Sequence, residues 1–144
     1  MSCLSLSGSD LDEETLNRMD QIEGLEGISL VASFVKPDAL VSLVESTVME
    51  NGGISSENGV ECYLLKLARE RGLQIVGLET AEEQDDALAT ADDAIWLYEI
   101  KTIVEDPDGY VESIRQMLRA WAEGDREALA EEDEIGVTDD MSAE

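Results

Sequence analysis

The chain has 144 residues, 43% of them hydrophobic, which is enough for one small domain with a buried core. Its 9 Lys and Arg against 35 Asp and Glu give a formal net charge of −26. A surface this negative repels phosphate backbones and anionic bilayers, so it all but excludes nucleic-acid binding, and it attracts cations or basic partners.

Residues 1–9 read as a short extended lead-in, with Leu4 and Leu6 alternating with serines. This stretch has no basic start and no sustained apolar run, so it is not a signal peptide, and no apolar run in the chain reaches bilayer-spanning length. Ser9 and Asp10 offer N-caps to a first helix, and Asp12, Glu13 and Glu14 fill a turn where the helix dipole favours negative charge. Leu11, Leu16, Met19 and Ile22 give that helix a loose apolar face, and Gly24 and Gly27 end it. Residues 28–35, ISLVASFV, are apolar but too short for periodicity to decide between strand and helix.

Lys36-Pro37 opens the next helix, with Asp38 in its first turn. Leu40, Val41, Val44 and Val48 mark its apolar face as far as about Glu50, before Asn51-Gly52-Gly53 breaks it. After a polar loop at 54–58, Val60, Tyr63, Leu64, Leu67 and Ala68 recur at i, i+3, i+4, i+7 and i+8, the clearest helical signal in the chain. Gly72 stands where a left-handed C-cap belongs. Leu73–Leu78, LQIVGL, is the best strand candidate. Thr80 with Glu83 forms a capping box for a helix from Ala81 to about Thr90.

Another helix is expected from Asp93 to Val104, followed by a turn at Asp106-Pro107-Asp108-Gly109. Tyr110, Ile114, Met117, Leu118 and Trp121 then mark a further helix that Gly124 stops. Asp125 caps a last short helix anchored by Leu129. The result is a mainly α, bundle-like domain over residues 1–130, of about six helices with one or two short strands. Residues 131–144 form an acidic tail too poor in apolar side chains to pack, and disorder is expected there. A lone strand lacks a ladder partner. It needs residues 4–6 or 30–35, a second chain, or polypeptide outside this sequence.

Histidine is absent. That removes Ser-His-Asp and Cys-His nucleophile systems and nearly all catalytic zinc designs. The carboxylate clusters Asp85-Asp86, Asp92-Asp93 and Glu131 to Glu134 lack the alternating ligand spacing around a glycine that a calcium loop needs, so they read as solvated acidic faces. No residues are assigned to metal or cofactor binding, and no Gly-rich nucleotide motif is present. Cys3 lies in the terminus; Cys62, inside a helix beside Tyr63 and Leu64, reads as a small buried or half-buried apolar residue rather than a reactive thiol. Trp96 and Trp121 read as core or interface packing. Glu79 is the one carboxylate singled out, because it ends the expected strand, where open sheets place functional groups; its ordinary explanation is a capping or salt-bridged glutamate.

Three stretches carry a family likeness. Residues 58–64, NGVECYL, lead through Leu67-Ala68 to residues 72–84, GLQIVGLETAEEQ, and Trp121-Ala122-Glu123-Gly124-Asp125 follows with Leu129 behind it. Together with the Lys36-Pro37 helix entry, they resemble the central signature of the TraB/GumN family, with Glu61 where the family more often has Asp. The likeness covers roughly residues 10–130. It implies a metal-dependent peptidase or related hydrolase, from a family whose members are often exported or membrane-anchored. The family's chemistry is attributed to two GxxH motifs and a glutamate. This sequence has neither GxxH motif, so the resemblance implies the helical middle of a larger α+β fold, inactive as this chain. A divalent metal would belong to a full-length relative, and Glu79 matches the family's glutamate as a catalytic, metal-linked or structural group. A different reading is an acidic helical module that binds a peptide or a basic protein. A homodimer covering exposed apolar surface is a third expectation.

Overall fold

The computed structural model describes residues 10–88 and 92–135. Among them are seven α-helices: α1 Glu13–Met19, α2 Pro37–Asn51, α3 Val60–Glu70, α4 Ala81–Leu88, α5 Asp93–Glu105, α6 Pro107–Glu123 and α7 Arg126–Ile135. Short 3-10 turns occupy Ile28–Leu30, Ala32–Phe34 and Ser56–Asn58, and no β-strand occurs among the described residues. The chain divides into two compact units, with the boundary between Pro107 and Asp108.

The core of the first unit is α1, α2 and α5. Each helix begins as its sequence dictates. Asp12 caps α1, its Oδ1 accepting from the Thr15 N–H at 2.8 Å. Pro37 sits in the first turn of α2 with Lys36 as cap. Asp92 caps α5, accepting from the Ala94 N–H at 3.0 Å. The expected α2 face is the buried one: Leu40, Val41, Val44 and Val48 are all inside, together with Ile100, Ile103 and Val104 of α5 and Met19 of α1. Burying these aliphatic faces against one another is the main stabilising term of the unit. Thr15 is the one buried polar residue of that core among the described residues.

Several boundaries differ from the sequence reading. Helix α1 starts from Asp12 rather than Ser9 or Asp10, and it stops at Met19, before the glycines. The cause is Asp20, whose carboxylate accepts from both the N–H and the hydroxyl of Ser29 and so folds residues 21–29 back onto the helix end. Those two bonds hold the Asp20 carboxyl below the usual carboxylate range, the Ser29 hydroxyl contributing most. The ambiguous stretch at 28–35 is accordingly neither strand nor helix but two turns, with Val31 N–H donating to Ile28 at 3.0 Å and Phe34 N–H to Val31 at 2.9 Å. The turn expected at 106–109 contracts to Asp106 alone, because Pro107 starts α6 and leaves Asp108 in its first turn.

The expected strand is not formed. Residues 73–77 are irregular and 78–79 are a bend. LQIVGL has strand composition, but a strand needs a ladder partner: residues 28–34 are turns, and residues 4–6 lie outside the described residues. The second unit contains α6 and α7. Asp125 caps α7, its Oδ1 accepting from the Glu127 and Ala128 N–H groups at 3.1 Å each. Helix α7 continues through 131–135, so this part of the expected tail is helical; residues 136–144, the lead-in with Cys3, and Thr90 lie outside the described residues.

Candidate functional site

The family-like residues 58–84 are built by local rules. Gly59 caps α3, and a Cβ there would come within 3.0 Å of the Ser56 carbonyl oxygen. A side chain at position 59 would therefore push against backbone. Helix α3 ends in a Schellman motif: Gly72 takes φ +63°, its N–H donates to the Arg69 carbonyl at 3.1 Å, and the Leu73 N–H reaches the Ala68 carbonyl at 2.9 Å. Nothing else lies near Gly72, so the demand for glycine is conformational. Gly72→Ala is expected to destabilise the end of α3 by about 1 kcal/mol, with Gly72→Asn milder. Amide exchange of residues 68–73 measures it, and equal protection in the native and alanine chains would contradict it.

The capping box at the start of α4 is present. The Thr80 N–H donates to Glu83 Oε2 at 2.8 Å, and the Glu83 N–H returns to Thr80 Oγ1 at 3.2 Å. The Thr80 backbone N–H, and then its hydroxyl, hold the Glu83 carboxyl below its usual range.

Glu79 lies immediately before this box, on the bend. It is exposed, and no described residue donates a hydrogen bond to its carboxylate. No group of three or more His, Cys, Asp or Glu that could hold a metal occurs among the described residues. Asp92 is consumed as a cap and Asp93 is a first-turn residue of the same helix. The side chains of Asp85, Asp86 and Glu131 to Glu134 lie outside the described residues. A shallow polar hollow along α1, lined by Glu13, Glu14, Asn17, Arg18 and Gln21, shares no residue with the family-like stretch.

The amphipathic stripe on α3 is real but only partly covered: Leu67 and Ala68 are half-buried and the rest is exposed. Tyr63 is 64% and Leu64 54% exposed, and no residue of the helix is buried. Cys62 is a free, exposed thiol, contrary to the expectation of a buried or half-buried residue, and Tyr63 and Leu64 beside it are exposed as well. Trp96 is half-buried, whereas Trp121 is exposed.

Sequence patterns did not reveal the half-buried Glu99 on α5. Burial, and then the Glu45 charge on α2, push its carboxyl above the usual range. Its position depends on how α2 and α5 pair, which no local motif encodes.

The chain is mostly helical and acidic, with Glu79 exposed on the bend before the capping box. The TraB/PrgY/gumN family profile matches residues 7–144, and the chain belongs to the TraB/PrgY/gumN family. No curated protein and no solved structure matches it.

Proposed function

We propose that this chain forms the helical portion of a TraB/GumN-type hydrolase and is inactive by itself, with Glu79 entering chemistry only alongside groups supplied from outside this sequence. The observation that carries the reading is the isolation of Glu79: an exposed carboxylate on a bend, in a sequence without histidine. A catalytic zinc needs about three protein ligands, and the described residues do not offer them together. The described residues therefore do not fit a catalytic metal by themselves.

The test is titration of the chain with Zn²⁺ and Mn²⁺ beside a fluorogenic peptide-hydrolysis assay. Weak, non-stoichiometric binding and no turnover are expected. Tight one-to-one binding together with hydrolysis that Glu79→Gln abolishes would overturn the reading.

The uncovered Met117, Leu118 and Trp121 on α6, in a chain of net charge −26, favour a second reading, an interaction module for a peptide or a basic protein. Binding of a Lys-rich peptide that weakens as salt is raised supports that alternative.

A further inference from the structure

We infer that residues 60–78 are the contact through which two copies of this chain associate, with the irregular stretch 73–78, of strand-like composition, pairing against its counterpart. This does not depend on any role for Glu79.

Three observations converge on this segment. First, it concentrates exposed apolar surface: Val60, Tyr63, Leu64, Leu73, Val76 and Leu78 are all at least half exposed, and Leu65 and Ile75 are exposed beside them. Solitary exposed apolar residues are ordinary, but such a run in consecutive chain is the mark of an interaction surface. Second, residues 74–79 make no backbone hydrogen bond among the described residues, so a length of strand-like composition stands with its donors and acceptors open. An unpaired edge of this kind is a template for another strand, and an identical one satisfies both copies at once.

Third, charge selects the occupant. The whole chain carries −26, yet residues 60–78 hold Lys66, Arg69 and Arg71 against Glu61 and Glu70, a net +1. A second copy approaching at this segment meets no local excess of carboxylates, whereas most of the chain would present like charge. A basic partner would find little to attract it here. The remaining repulsion between copies is long-range, so salt strengthens the association by screening it.

A second exposed apolar stretch, Leu30, Val31 and Phe34, is the internal control. It also lacks acidic residues, but its backbone is already bonded in turns.

Sedimentation equilibrium of the full chain is the experiment, at about 0.1 M and about 1 M NaCl, which shortens the screening length from about 10 Å to about 3 Å. The expected mass is twice 15.7 kDa, with tighter association at the higher salt. The double variant Leu64→Glu, Val76→Glu is expected to be monomeric with native circular dichroism, and Phe34→Glu to remain dimeric. A monomer at high concentration in both salts overturns the inference. So does a dimer that survives the double variant, one that Phe34→Glu dissociates, or one that salt dissolves. If the double variant unfolds, amide exchange of the native chain decides: residues 74–79 gain protection with concentration if they form the contact, and exchange equally at all concentrations if they do not.

Discussion

Leu40→Ala is expected to lower the free energy of unfolding by about 2–5 kcal/mol, the range for removing a fully buried leucine. Leu40 is 0% exposed and lies on the buried face of α2, the helix packed against α5. Truncation removes apolar contact and leaves a hole, because its neighbours Val41, Val44 and Val48 are held by the same helix and cannot follow the lost side chain inward. Against a typical total of about 5–15 kcal/mol, this is a large fraction of what keeps the domain folded. Urea denaturation followed by circular dichroism measures it. Leu64→Ala on the uncovered face of α3 is the comparison, with an expected change within about 0.5 kcal/mol. Equal losses at the two positions would mean that the α1, α2 and α5 core is not where the stability resides.

Acidification from neutral pH is expected to stabilise the fold before it destabilises it. Glu99 is the first reason. Burial and the Glu45 charge raise its carboxyl above the ordinary glutamate value of 4.5, so between that value and its own the folded chain holds a proton that the unfolded chain has lost. Stability therefore rises as pH falls through this window. The falling net charge acts in the same direction, because −26 at pH 7 shrinks toward the isoelectric point of about 4.1 and relieves self-repulsion.

The opposite sign applies to Asp12, Asp20 and Glu83, whose carboxyls are held below their ordinary values, chiefly by bonds from Thr15, Ser29 and Thr80. Their contribution is present above the ordinary values of 3.8 for the aspartates and 4.5 for the glutamate, and is lost as pH falls through the lowered ones. The melting temperature should climb from pH 7 toward about pH 5 and decline below about pH 4. Glu99→Gln separates the two causes of the climb: it should raise the melting temperature at pH 7 and flatten the rise, while leaving the gain produced by added salt. A melting temperature that falls steadily from pH 7 downward would contradict this account.

The helices were legible where their signals are local. Pro37 at the start of α2, the Thr80–Glu83 capping box and the glycine stop after α3 each act within a few residues, and each stands where the pattern puts it. The buried face of α2 was legible too, since Leu40, Val41, Val44 and Val48 repeat at helical spacing. The strand at 73–78 failed because strandhood is a property of a pair: Ile and Val in an apolar run make a segment fit to pair without providing the partner. Burial of α3 failed for a related reason. An amphipathic stripe states that a face would be better covered, not that anything in the same chain covers it, and Cys62 and Tyr63 are exposed in consequence. As for the site, Glu79 was singled out as the end of an expected strand and by family likeness; the strand is not formed, and Glu79 stands exposed on a bend.

The family-like stretch from Asn58 to Gln84 contributes no buried residue to the α1, α2 and α5 core. Gly59, Gly72 and the Thr80–Glu83 pair shape that stretch itself rather than the core. Outside the Gly72 C-cap and the Thr80–Glu83 box, substitutions of its side chains are therefore expected to move the melting temperature little, whereas any surface they form with a partner would be lost.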